Sequence, residues 1–142
     1  MNWKLIFGLS LFGLLMAFAT ITLIPSSIEI YIWVPVFLIC AWIIAQKAPG
    51  KFFLHGFLVS LVNCVWITGA HVFMSSLYLS HHADEASQYA AMQKSFMQGG
   101  HGISLSVRRA MLIFGPVIGI ISGLVLGLFS FIASKISKKR PS

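Results

Sequence analysis

Four long apolar segments, separated by short polar breaks, leave this chain few folds to choose from. They cover residues of about 5–24, 28–45, 52–79 and 110–133. An α-helix crosses the hydrocarbon core of a bilayer with about 20 apolar residues, within a range of about 17–25. Each segment is long enough. In lipid a chain must satisfy its backbone N–H and C=O groups internally, so each segment reads as a helix. The sequence has 142 residues, 58% hydrophobic and 9% charged, against roughly 25% charged residues in soluble domains. So short a chain buries too little surface to hide this much apolar area from water. The expected fold is all-α: a polytopic membrane protein with four transmembrane helices in a single domain, residues 1–142.

The breaks support that partition. Pro25 closes the first segment, and Ser26 with Glu29 three residues later makes a capping-box pattern that starts the second. Ala48, Pro49 and Gly50 form a turn before the third. Pro35 falls inside the second segment and predicts a kink that neighbouring helices tolerate. The third segment, at 52–79, is long enough to tilt or to project beyond the bilayer. Between the third and fourth lies a loop at about 80–106. Residues 83–98 lack Gly and Pro and are rich in helix formers. Tyr89, Met92 and Phe96 are spaced as one helix face, which predicts a short amphipathic helix on the membrane surface. Gly99, Gly100 and Gly102 then form a flexible link around His101, and Ser106 can cap the fourth helix.

Charge sets the orientation. The formal net charge is +7, but the basic residues flank apolar segments rather than forming a surface patch. Lys4, Lys47, Lys51, Lys135, Lys138, Lys139 and Arg140 fall on one side, with no acidic residue among them. The other side carries Glu29, Asp84, Glu85, Lys94, Arg108 and Arg109, which cancel. The positive-inside rule then places both termini in the cytoplasm. Basic and aromatic residues do not interleave as in RNA-binding surfaces, so no nucleic-acid partner is expected. Ala17, Phe18 and Ala19 also resemble a signal-peptidase site. Against cleavage, the apolar run continues to Ile24, long enough to stay anchored.

The fourth segment carries Gly115, Gly119, Gly123 and Gly127, spaced by four. Residues four apart share a helix face, so these glycines make a groove into which another helix backbone can pack. Gly13 and Ala17 of the first helix offer a matching small pair; a homodimer or a membrane partner protein is the alternative. The third segment carries a polar stripe. Ser60, Asn63, Thr68, His71 and Ser75, with Gly56, Cys64 and Tyr78, fall within about 140° of arc. Such a face turns toward protein or water. It either bonds across helices to Thr20, Thr22 or Ser122, or lines a cavity or an ion path.

Other features carry less. Cys40 and Cys64 sit inside apolar segments, with no disulfide or zinc spacing. His71, His81, His82 and His101 could gather with Asp84 and Glu85, but no metal-ligand spacing joins them. Neither a metal nor another cofactor is therefore expected, and haem lacks a second axial histidine. Arg108 and Arg109 are expected to reach lipid phosphates or to pair with Asp84 and Glu85. Trp3, Trp33, Trp42 and Tyr31 read as interfacial aromatics. No phosphate loop, no zinc-protease motif and no nucleophile with a base is present, so no catalytic residue is assigned.

In layout the chain resembles a group of small bacterial four-helix membrane proteins catalogued only as a domain of unknown function. The resemblance rests on the tight first hairpin, on His55-Gly56-Phe57 entering the third helix, and on the acidic, Gln- and Met-rich loop. The glycine-laddered last helix, ending in Lys135-Ile136-Ser137-Lys138-Lys139, completes it, while Leu79-Ser80-His81-His82 departs from the group. The resemblance implies residence in the bacterial plasma membrane and no known activity. The leading expectation is a non-enzymatic accessory or structural protein acting through the glycine ladder. The second is a small channel or transporter subunit that uses the polar stripe.

Overall fold

A computed structural model describes residues 1–98 and 106–137. The expected Gly99–Gly102 link, His101 and the tail residues Lys138, Lys139 and Arg140 lie outside those residues. Among the described residues six helices follow in order: α1 Trp3–Thr22, α2 Ser26–Lys47, α3 Phe52–Phe73, α4 Ser75–His81, α5 Ala83–Gln98 and α6 Val107–Ser137. No strand occurs among the described residues. Four of the helices, α1, α2, α3 and α6, are long and apolar enough to cross a membrane. Their outer faces demand it. Phe7, Leu11, Leu15 and Phe18 on α1, and Ile113, Val117, Ile120 and Leu124 on α6, are all exposed. Contiguous apolar surface of this extent is stable against lipid, not against water.

The helix limits show local physics. Asn2 caps α1, its side chain accepting from Leu5 N at 3.2 Å. The N-cap of α2 is Pro25, extended at φ −64° and ψ 144° with no side-chain cap bond, so Ser26 is already helical and is not the cap. Proline fixes that φ and has no N–H to satisfy, which lets it take the position. Pro35 does not interrupt α2. Between α2 and α3, Gly50 and Lys51 adopt positive φ, 156° and 50°. Lys51 O then accepts from His55 N at 3.0 Å and starts α3.

The third apolar segment is not one helix to Leu79, as its composition suggests. It breaks at Met74, with φ −102° and ψ 24°. The break costs little backbone bonding, because Met74 N donates to Ala70 O at 2.8 Å and Met74 O accepts from Tyr78 N at 2.9 Å. Its effect is to re-aim α4, which places the Tyr78 ring between those of His71 and His82. Nor is α6 confined to 110–133. It has 31 residues, about 46 Å at 1.5 Å per residue, longer than the roughly 30 Å hydrocarbon core.

Two hydrogen bonds fix the direction of α1 beside α3 and α4. At one end Asn2 N donates to His55 Nε2 at 3.0 Å; at the other His82 Nε2 faces Ile24 O at 3.3 Å. α6 runs antiparallel to α3, pairing Ser122 with Ser60 and Gly115 with Cys64. The larger core cluster lies toward the chain-terminal end, where Ile6, Leu9, Cys40, Ala41, Ile44, Val59 and Leu126 bring all four long helices together. A smaller one, Ile21, Tyr78 and Met111, closes the α5 end. α1 is integral to the bundle, with Ile6, Ala17 and Ile21 at most 1% exposed. α2 is anchored by only part of its length. Its buried residues begin at Cys40, and every residue described between Ser27 and Ile39 is exposed or half-buried.

Candidate functional site: a cleft along the polar face of α3

The glycine ladder of α6 is filled by α3, not by α1. A Cβ at Gly115 would lie 2.3 Å from Thr68 Oγ1, one at Gly119 2.6 Å from Cys64 Sγ, one at Gly123 2.9 Å from Phe57 Cδ2, and one at Gly127 2.8 Å from Phe53 Cε2. The ladder is therefore the seat of the α3 side chains, and the expected match with Gly13 and Ala17 does not form. Gly13 instead faces Asn63, whose Oδ1 occupies the place a Cβ would take. Ala17 is buried and accepts Thr20 Oγ1 at its carbonyl, 3.1 Å away.

Most of the polar stripe is satisfied within the protein. Ser60 Oγ pairs with Ser122 Oγ at 2.8 Å, the cross-helix bond expected of it. Cys64 Sγ donates to Gly115 O at 3.0 Å and lies 3.6 Å from Thr68 Oγ1. His71 Nδ1 donates to Ile67 O at 2.8 Å, which ties the ring to its own helix. Ser75 Oγ accepts from Arg108 Nε at 3.2 Å, so this arginine reaches across to α4. Thr20 and Thr22 bond instead to carbonyls of their own helix. The exception is Asn63. It is 7% exposed, and among the described residues its Oδ1 is the buried side-chain polar atom with no hydrogen-bond partner. The Cα hydrogens of Gly13, which it abuts, are weak donors.

These residues line a cleft of about 640 Å³ between α2, α3 and α6. Ser60, Asn63, Cys64, Thr68 and His71 make one wall; Trp33, Val34 and Phe37 of α2 and Ile118, Ile121 and Val125 of α6 make the apolar remainder. Eleven residue steps separate Ser60 from His71, so the polar wall is about 16 Å long. Toward the α5 end the cleft reaches Glu29, Tyr78 and Tyr89. Glu29 is held by Trp33, whose Nε1–H donates to Oε1 at 2.9 Å.

A second, more polar cavity of about 900 Å³ lies between the end of α1, the start of α2 and α5. Thr22, Ser27, His81, Asp84, Glu85 and Gln88 contribute to it, and Tyr89 and Phe114 line both spaces. The wall here is braced through Tyr78. Its ring meets His71 edge-on at 4.6 Å and stacks on His82 at 4.4 Å, while its hydroxyl donates to the Glu85 carboxylate. Of the expected α5 stripe, Tyr89 and Met92 face this cavity, and Phe96 is exposed. Burial, and then the charge of Glu85, hold the Tyr89 phenol above its ordinary value. Among the described residues no three His, Cys, Asp or Glu side chains converge on a point that could hold a metal.

Sequence reasoning passed over His55 and Gly56 as site residues. His55 is 1% exposed and bonds both ends of a link, accepting from Asn2 N and facing Lys51 O with Nδ1 at 3.1 Å. Gly56 meets the α6 backbone at Leu126. The signal for Gly56 was its place on the polar stripe; for His55 there was none, since its partner is a backbone amide 53 residues away. Compared with known protein families, curated proteins and solved structures, the chain matches none.

Proposed function

We propose that this chain is a non-enzymatic, multi-pass protein of the bacterial plasma membrane that takes a lipid-like molecule from the bilayer into the α2–α3–α6 cleft, as a small transporter or carrier subunit. Both termini are cytoplasmic in this reading, which puts the α5 end of the cleft at the outer leaflet. The observation that carries it is the polar stripe of α3 lining a space whose volume, about 640 Å³, falls within the roughly 300–1,000 Å³ of small-molecule sites. An accessory role through the glycine ladder loses ground, because α3 already occupies that ridge. A second copy or a membrane partner would meet the outer face of α6 instead, at Ile113, Val117 and Ile120.

The test is native mass spectrometry of the protein released from lipid nanodiscs. Bound lipid-like mass should be retained by the natural chain and lost from Ile118→Trp and Val34→Trp, which fill the cleft from two helices. Retention by both variants, at the level of the natural chain and with normal helical content, would end this reading.

A further inference from the structure

We propose that His82 is a proton-operated clasp: its protonated ring ties the end of α1 to the junction of α4 and α5, and the neutral ring lets that end go. The device belongs to the α5 end of the bundle and holds whether or not the cleft takes a lipid-like molecule. The His82 ring is 9% exposed, and both of its nitrogens face backbone carbonyl oxygens. Nδ1 lies 3.0 Å from Tyr78 O, and Nε2 lies 3.3 Å from Ile24 O. A carbonyl oxygen only accepts, and a neutral imidazole carries one N–H. A neutral ring would therefore set a nitrogen lone pair against one of the two oxygens. The imidazolium donates to both. His55 shows the contrast within the same chain. It is 1% exposed and also links distant residues, but Nε2 meets the Asn2 N–H at 3.0 Å while Nδ1 lies 3.1 Å from Lys51 O. One donor and one acceptor suit a neutral ring, so that link needs no extra proton.

The surroundings of His82 offer a cation further partners. Ile24 O and Tyr78 O lie at the carbonyl ends of α1 and α4, and helix C-termini carry partial negative charge. The Tyr78 ring stacks on the imidazole, with centroids 4.4 Å and planes 20° apart, and an aromatic face attracts a cation. From α5, Asp84, Glu85 and Tyr89 line the same cavity as His82, and Glu85 already accepts from the Tyr78 hydroxyl. His81 of α4 lines it too, with Nδ1 turned back to Leu77 O. α3 brings His71 edge-on to the Tyr78 ring, and α6 brings Arg108 to Ser75. From Thr22 to Ile28 there is no titratable side chain; Glu29 comes next and accepts from Trp33.

When the ring gives up a proton, one of the two bonds must go. The bond to Tyr78 O is the shorter and joins residues four apart, whereas the bond to Ile24 O is longer and joins residues 58 apart. The second is the one released. Its site is a wall of the polar cavity of about 900 Å³, which Ile24, Pro25, His82 and Ala83 all line. His82 also begins α5, since its carbonyl accepts from Ala86 N at 3.0 Å. No residue of α5 is buried, so little packing opposes its separation from the α1–α2 corner once the clasp opens.

The experiment joins two measurements on the full chain in phosphatidylcholine nanodiscs, at about pH 5.5 and about pH 8.5, either side of the ordinary histidine value. Nitrogen NMR of histidine-labelled protein reads the protonation of the His82 ring, assigned by its disappearance in His82→Phe. Hydrogen exchange, corrected for the intrinsic pH dependence of amides, reads the clasp over residues 22–29 and 82–90, with α3 as the internal control. The ring should be doubly protonated at the lower pH and neutral at the higher. Both segments should then exchange about tenfold faster at the higher pH, the order expected when a hydrogen bond to a charged group is lost. His82→Phe keeps a ring against Tyr78 without a donor, and should exchange at the fast rate at both pH values. His82→Gln donates without titrating, so its exchange should not depend on pH even if the phenylalanine variant fails to fold. A ring in one protonation state at both pH values overturns the clasp, as does a ring that titrates while exchange stays constant. A pH dependence that persists in either variant also overturns it and assigns the change to His71, His81, Asp84 or Glu85.

Discussion

Gly56→Ala tests the closest contact that a described glycine makes with the backbone of another helix. A Cβ at residue 56 would sit 2.6 Å from Leu126 O and 2.9 Å from Leu126 C, with Ser130 Oγ at 2.5 Å. Ordinary contact begins at 3.4 Å, so the α6 backbone must retreat by about 0.8 Å. Ser130 can rotate away, but a helical carbonyl cannot. Overpacking of this kind costs about 1–3 kcal/mol, and alanine recovers about 0.5–1 kcal/mol of helix propensity over glycine. The net loss is about 1–2 kcal/mol, several degrees of melting temperature for a chain of this size. Gly69→Ala is the control, since a Cβ there meets nothing within 4 Å and only the propensity gain remains. Thermal melting of both variants in one mild detergent, followed by circular dichroism, separates them. Gly56→Ala should fall and Gly69→Ala should hold or rise. Equal shifts in the two would refute the claim that α3 and α6 meet backbone to backbone at this glycine.

Three further outcomes follow from the site. Gly13→Ala pushes a methyl into the Asn63 amide, so it should destabilise by about 1–3 kcal/mol, and Asn63→Ala in the same chain should recover most of the loss in a double-mutant cycle. Additive effects would show that the two residues do not touch. Tyr78→Phe removes the bond to Glu85, and hydrogen exchange should speed up in α5 while α6 keeps its protection; uniform change across both helices would contradict a local brace. The Tyr89 phenol should titrate above its ordinary 10.0, read as the difference in 295 nm absorbance between the natural chain and Tyr89→Phe. The neutral phenol is the form the fold favours. Its contribution is therefore full below the ordinary value and is lost as pH rises through the raised one.

The four spans were legible because lipid leaves a chain one local solution, and an apolar run of sufficient length announces it. The stripe on the third segment was legible too, since 100° per residue puts Ser60, Asn63, Thr68 and His71 on one side whatever their neighbours are. What periodicity cannot give is the partner. The ladder at 115, 119, 123 and 127 says that something packs closely, but Gly13 and Ala17 look as suitable as the larger residues of α3. Only register decides, because Phe53, Phe57, Cys64 and Thr68 come to stand opposite the four glycines. The break at Met74 was hidden for a similar reason. Nothing at residue 74 disfavours helix, and its backbone bonds to Ala70 and Tyr78 survive the turn. The stacked His71, Tyr78 and His82 rings accompany a break that the local sequence does not mark.

The closed ladder and the open cleft follow from the distribution of side-chain size along two helices. On α6 a glycine every fourth residue removes the bulk that would hold α3 away, and the two backbones approach each other along most of their shared length. On α2 the small residues gather toward its end. Cys40, Ala41 and the capping Ala48 are buried there together with Ile44, and this half settles into the core beside Ile6 and Val59. Trp33, Val34 and Phe37 are larger and stand along the cleft. α2 is seated in the core at one end and stands along the cleft at the other. Helix packing tolerates few empty spaces, so under the proposed function this gap between bulky walls is the space that a lipid-like molecule fills.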